Sequence, residues 1–264
     1  MTLDAREIRA DDGTTIAYAV RDGAHPAVVI LHGLAGSSRE FVPTAEALSG
    51  RRVILIDQRG HGGSTRLPAD TSRASFVSDV VRVIEAEGAA PVDLVGQSMG
   101  AHTAMLVASA RPDLVRRLVL LEGNEGGGSA ADHAALGDFF RSWEVPFATR
   151  AQAQASLGGG PLAAAWAADL EERPDGFHPR FDADAMVATI RAVAEPRWDE
   201  WERVTAPTLV VYADGGMFTD AQKDAFVSRG RTVTRTDLSG ASHDAHLDAF
   251  DQWIDALRDF LDVR

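Results

Sequence analysis

Residues 93–100 read DLVGQSMG, a serine set between two glycines where an apolar run gives way to a run suited to helix. Residues 92–95, with Asp93 interrupting, suit a short buried strand, and residues 101–111 have the length and alanine content of a helix. Ser98 is thereby placed on a strand-to-helix turn. A bend this sharp strains the backbone of its central residue and brings neighbouring chain close, which positions 96 and 100 permit because neither carries a side chain. The bend pushes the hydroxyl outward, toward the positive end of the helix. A plain helix cap would also place a serine here, so the partners of Ser98 have to decide its role.

Working outward, AVVILHG (27–33), RRVILIDQ (51–58), PVDLVGQ (91–97), RRLVLLEG (116–123) and PTLVVYAD (207–214) are short branched-aliphatic runs, with TVTRTDL (232–238) a weaker one. Such runs suit strands buried on both faces of a parallel sheet. Two alternating runs around Asp12-Gly13 read as a hairpin. Helix-like stretches at 37–48, 75–87, 101–111, 220–229 and 245–261 lie between or after the strands. This alternation predicts an α/β fold with a mostly parallel, doubly wound sheet, in which ligands gather at the carboxyl ends of the strands.

The alternation fails between Gly123 and Val204, a segment too long for an ordinary loop. It holds glycine runs at 126–128 and 158–160, alanine-rich pieces, and Phe139, Phe140, Trp143, Phe147, Trp166, Trp198 and Trp201. Residues 123–203 are therefore expected to form a helical lid with glycine hinges, inserted into a core domain of residues 1–122 and 204–264. The lid is expected to wall an apolar pocket for medium, uncharged groups.

Composition removes several classes of function. The 264 residues contain no cysteine, which excludes disulfides and thiolate metal sites. A net charge of -13 argues against nucleic acid or an anionic membrane as partner. The N-terminal residues carry charges where a signal peptide is apolar, so a cytoplasmic location is expected. Lys223, the single lysine, stands in the polar stretch AQKDAF and is expected at the surface.

LHGLAGSS (31–38), DQRGHGGS (57–64), GQSMG (96–100) and GASHDAHLD (240–248) together resemble the α/β-hydrolase superfamily, in its serine-nucleophile esterase and lactonase branch. The resemblance covers essentially the whole chain. It implies Ser98 as nucleophile, with His243 as its base because that histidine follows the last strand-like run in a small-residue loop. Chemistry agrees, since a serine hydroxyl needs a base and imidazole titrates near neutrality. Of the other histidines, His32 and His61 resemble structural residues of the family, His102 is expected to pack within its helix, and His246 to face the helix start or a lid contact. The backbone N–H groups of Leu34 and Met99 are the implied oxyanion donors, with Gly33 and Gly36 allowing close approach to substrate.

The sequence departs from the commonest family pattern at the acid. Relatives usually carry an aspartate where this chain has Gly216, in ADGGMF. Glu122, at the end of RRLVLLE, resembles the placement in members such as the haloalkane dehalogenases and is the preferred acid, with Asp214 the alternative. Serine at the elbow sets the chain apart from dehalogenases and epoxide hydrolases of this fold, which use aspartate there. Hydrolysis of a small-molecule ester, lactone or thioester through an acyl-enzyme is the function implied, with no cofactor and no metal expected. The same triad serves perhydrolases and carbon–carbon bond hydrolases, and some relatives are non-catalytic receptors; the motifs do not separate these.

Overall fold

The structure is a computed structural model that describes residues 3–262; positions 1–2 and 263–264 of the expected core domain lie outside the described residues. An antiparallel hairpin of β1 (Asp4–Arg9) and β2 (Thr15–Arg21) opens the chain. Its turn passes through Gly13 at φ +83°, a conformation natural to glycine. There follow β3 (Ala24–Leu31), α1 (Val42–Ala47), β4 (Arg51–Ile56), α2 (Arg73–Ala86), β5 (Val92–Gln97), α3 (Met99–Ala110) and β6 (Val115–Leu121). After β6 come α4 (Ala130–Arg141), α5 (Arg150–Ser156), α6 (Pro161–Asp169), a small hairpin of β7 (Glu171–Arg173) and β8 (Gly176–His178), and α7 (Ala183–Val193). The chain closes with α8 (Trp198–Arg203), β9 (Thr208–Gly215), α9 (Asp220–Arg229), β10 (Val233–Ser242), α10 (Ala245–Asp248) and α11 (Phe250–Asp262).

Eight strands form one sheet in the order β1-β2-β4-β3-β5-β6-β9-β10, antiparallel at β1–β2 and β2–β4 and parallel from β4 onward. Consecutive side chains of each strand enter opposite layers, as a period of two requires. Val28 and Ile30, with Val53, Leu55 and Val95, pack in the layer that holds Trp253 and Leu257 of α11. Val29 and Leu31, with Ile54, Ile56 and Leu94, pack in the layer that holds Val80 of α2 and Met105 of α3. Asp93 is fully buried in β5 and is balanced by Arg116, at 2.8 and 2.5 Å, and by Arg51 at 3.0 Å. The chain steps outward from β3 to β4 and then back across β3 to β5. That reversal makes β3 and β5 the switch point of the sheet, where strand ends leave a crevice.

Several elements differ from the sequence reading. The stretch 37–48 divides into a 3₁₀ turn, Ser38–Phe41, and α1. Pro43 has no N–H to give residue 39, and the Val42 N–H bonds the Arg39 carbonyl instead. The stretch 245–261 breaks at Ala249, φ -126°, so that α10 turns His246 inward while α11 lays Trp253 on the sheet. Lys223 is 5% exposed rather than solvated. Its ammonium donates to the Ala213 carbonyl at 3.0 Å and lies 5.4 Å from the Tyr212 ring centroid. Within the expected lid segment, Trp201 belongs to the sheet's own core: it stacks on Phe226 at 4.2 Å and donates its indole N–H to the Phe226 carbonyl at 2.7 Å. Across α4 to α7, Phe140, Trp143, Phe147 and Phe181 form a separate cluster that also takes in Ala35 of the loop after β3. Among the described residues, no helix is long and apolar enough to cross a membrane.

Candidate active site

Ser98 follows β5 directly, at φ 52° and ψ -118°, a backbone strained for any residue with a side chain. Its hydroxyl makes no capping bond to α3, so the helix-cap reading does not describe it. The glycine fence has a steric cause. A Cβ on Gly96 would stand 2.2 Å from the Gly100 carbonyl oxygen, and one on Gly100 would stand 2.3 Å from that of Leu31. Both obstacles are backbone, which cannot swing aside. Gly100→Ala is therefore expected to cost at least the roughly 1–3 kcal/mol of ordinary overpacking, measured as a lowered midpoint in thermal or urea unfolding.

Glu122 ends β6 as Ser98 ends β5, with its own positive φ of 49°. Its carboxylate is fully buried and fully engaged. Oε1 accepts from the Ala213 N–H at 2.8 Å, Oε2 accepts from the Met217 N–H at 3.0 Å, and His243 Nδ1 lies 3.1 Å from Oε2. A Cβ on Gly216 would fall 2.3 Å from Oε1. The carboxylate from β6 thus occupies the space that a side chain at 216 would need, which explains why glycine stands there. Asp214, the alternative acid, is committed elsewhere: it accepts from the N–H groups of Gly240 at 2.8 Å and Ala241 at 3.1 Å. Those bonds hold its carboxyl below the usual aspartate range. A histidine whose Nδ1 is held by a carboxylate presents Nε2 for exchanging a proton.

Ser98 and His243 both line two cavities, of about 240 and 520 Å³. The smaller is walled by Leu34 of the loop after β3 and by Leu136 and Phe140 of α4 and Leu162 and Trp166 of α6. The larger is walled by Met99, His102 and the glycines 126–128. Leu34 and Met99 therefore stand on the Ser98 side of the crevice, and Met99 opens a helix whose first N–H groups have no partner within the helix. Gly33 makes room for protein, since a Cβ there would lie 2.2 Å from Gln97 Oε1 and 3.4 Å from the Ser98 Cβ. Gly36 does the same for Glu40: its Cβ would lie 2.7 Å from Oε2.

The remaining histidines near the crevice are buried. His32 pairs Nδ1 with the Gly33 carbonyl at 2.7 Å and accepts from the Gln58 N–H at 3.0 Å through Nε2. His61 pairs with the Arg59 carbonyl at 2.9 Å, and burial pushes it down to about 3. His102 also titrates well below the usual range, first through burial and then through Arg73. His246 stacks on Phe41, ring centroids 4.4 Å apart, and sits 3.6 Å from Glu40 Oε2. Glu40 was not singled out in the sequence, where it is one carboxylate between Arg39 and Phe41; only its proximity to Gly36 in space marks it. Among the described residues, no group of three or more histidine, aspartate or glutamate side chains is arranged to hold a metal.

A family model for the alpha/beta hydrolase fold matches residues 26–250. The chain is 39% identical to the sn-1-specific diacylglycerol lipase ABHD11 of Mus musculus over 139 residues, 50% of this chain and 44% of that protein. It is 24% identical to the 2-(acetamidomethylene)succinate hydrolase of Mesorhizobium japonicum over 97% of this chain and 95% of that one. The crystal structure of an E-2-(acetamidomethylene)succinate hydrolase superposes with a TM-score of 0.89 at 23% identity, covering 99% of this chain and all of that one, a likeness of fold. A match that runs from β3 into α11 leaves one conclusion: the chain belongs to the α/β-hydrolase family.

Proposed function

We propose that the protein hydrolyses a small to medium, largely apolar carboxylic ester, lactone or thioester through an acyl-enzyme on Ser98. The observation that carries this reading is the Glu122–His243 contact of 3.1 Å, with His243 and Ser98 lining the same cavity. In this mechanism the Ser98 oxygen attacks the substrate carbonyl as its proton passes to His243 Nε2, and Glu122 holds the tautomer and balances the imidazolium. The N–H groups of Leu34 and Met99 receive the oxyanion. Collapse of the tetrahedral intermediate expels the alcohol or thiol, which takes the proton from His243. Water, deprotonated by the same imidazole, then releases the acid and restores Ser98. Helices α4 to α7 serve as the lid, their apolar side chains excluding water from the acyl group.

Some relatives are named for hydrolysis of a succinate, a dicarboxylic acid. The smaller cavity of this chain is lined by two carboxyl side chains, Glu40 and Asp244, and among the described residues by neither arginine nor lysine. A neutral ester is the substrate class that such a wall favours over a dicarboxylate. The test is labelling with a fluorophosphonate probe, followed by a panel of chromogenic acyl esters and lactones. Covalent modification at Ser98 and turnover of neutral esters are expected. An unlabelled Ser98 and no turnover across the panel would refute the reading.

A further inference from the structure

Glu40 takes no part in the chemistry described above, yet it lines the cavity beside Ser98. It belongs to the 3₁₀ turn Ser38–Phe41, and the bare Cα of Gly36 lets the loop after β3 close over its carboxyl. The side chain is 6% exposed. Its polar surroundings are thin: the Ser37 backbone N–H helps to hold the charge, while His246 Nε2, at 3.6 Å from Oε2, is beyond hydrogen-bond range. Neither ring nitrogen of His246 has a hydrogen-bond partner among the described residues. Burial and the nearby Asp57 push the Glu40 carboxyl up, against the opposing effect of His32, to about 7. Asp244, on the same wall, is occupied differently, for Gln97 donates to its Oδ1 at 3.4 Å. A buried carboxyl facing an apolar chamber is costly until something pairs with it.

We propose that Glu40 determines specificity in this chamber, accepting a substrate arm that ends in a hydrogen-bond-donating hydroxyl or amine and rejecting one that ends in a carboxylate. The proposal rests on the ester-hydrolase reading. Once Glu40 is ionised, above about pH 7, a hydroxyl or ammonium donates to the carboxylate that the protein leaves under-partnered, and bonds to an ionised group are the stronger kind. Above the pH at which Glu40 ionises, a carboxylate entering the chamber meets its charge, with Asp244 beside it, between apolar walls, where like charges repel most and discrimination by repulsion is most effective. The expectation of a wholly uncharged substrate is narrowed accordingly: the body of the arm is apolar and its tip is a donor.

The experiment uses the intact chain at about pH 8.5, where Glu40 is ionised and an alkylammonium tip keeps its proton, and ester substrates with arms of about four to six carbons, sized to a small chamber. Each arm ends in methyl, hydroxyl, ammonium or carboxylate and is placed in turn on the acyl and the alcohol side, with turnover followed by proton release. On one side, kcat/KM for the hydroxyl- or ammonium-ended arm is expected to exceed that for the carboxylate by at least about tenfold, which is about 1.4 kcal/mol. Glu40→Gln, which keeps the shape and removes the charge, should bring the ammonium-to-carboxylate ratio to within about threefold. Glu40→Leu should shift preference to the methyl-ended arm. Equal rates for all four tips on both sides of the ester would overturn the proposal with the wild-type protein alone. So would a preference that survives in both Glu40 variants, folded by circular dichroism, and disappears in Asp244→Asn. If no ester of the series is cleaved, whatever its tip, the ester-hydrolase reading has failed first; if the esters are cleaved without regard to the tip, only the role of Glu40 has.

Discussion

Ser98→Ala is expected to lower kcat on the best ester by about 10⁶, the scale of loss when a serine protease is deprived of its nucleophile. The change removes one oxygen and leaves the elbow intact. Gly96 and Gly100, whose missing side chains allow the turn, are untouched, and the hydroxyl of Ser98 makes no capping bond that folding would miss. Unfolding midpoints of the two proteins should therefore agree while their rates separate. The residual rate should show no burst of released alcohol, because no acyl-enzyme can accumulate. A variant that keeps most of the wild-type kcat would move the nucleophile away from Ser98.

Glu122→Gln is expected to lower kcat by roughly 10² to 10⁴, the upper figure being the cost of an aspartate-to-asparagine change in a serine protease triad. The amide fills the same space but offers N–H where the backbone N–H groups of Ala213 and Met217 now donate to Oε1 and Oε2. Either orientation of the amide sets a donor against a donor, so a lowered unfolding midpoint should accompany the kinetic loss. Asp214→Asn is expected to change kcat little, since the Asp214 carboxylate holds the Gly240 and Ala241 N–H groups and not His243. Kinetics of both single variants and the double variant on one ester at one pH make the comparison. A fast Glu122→Gln enzyme beside a crippled Asp214→Asn enzyme would assign the acid to Asp214.

The doubly wound sheet was legible in the sequence because its evidence is local. A strand buried on both faces must be apolar at consecutive positions, as residues 53–56 and 118–121 are, and a strand-to-helix turn this tight must have glycine where carbonyls crowd the chain. Ser98 was legible for the same reason, since its strain and its fence lie within five residues, 96–100. Helix ends were read less well: Pro43, which has no N–H to give, splits one predicted helix, and the backbone at Ala249 breaks another.

Tertiary structure decided what depends on distance through space. In the sequence Glu122 and Asp214 are two carboxylates at two strand ends. Folding placed β6 beside β9, so that the Glu122 carboxylate fills the space beside Gly216 and meets His243, 121 positions away in the chain. Lys223 reads as a surface residue because its neighbours are polar, but in the fold its ammonium turns inward and donates to the Ala213 carbonyl of β9. Glu40 gives no signal in one dimension. Its meaning comes from Gly36 beside it, His246 behind it and the cavity in front, contacts that exist only once the loop after β3 has closed against α10.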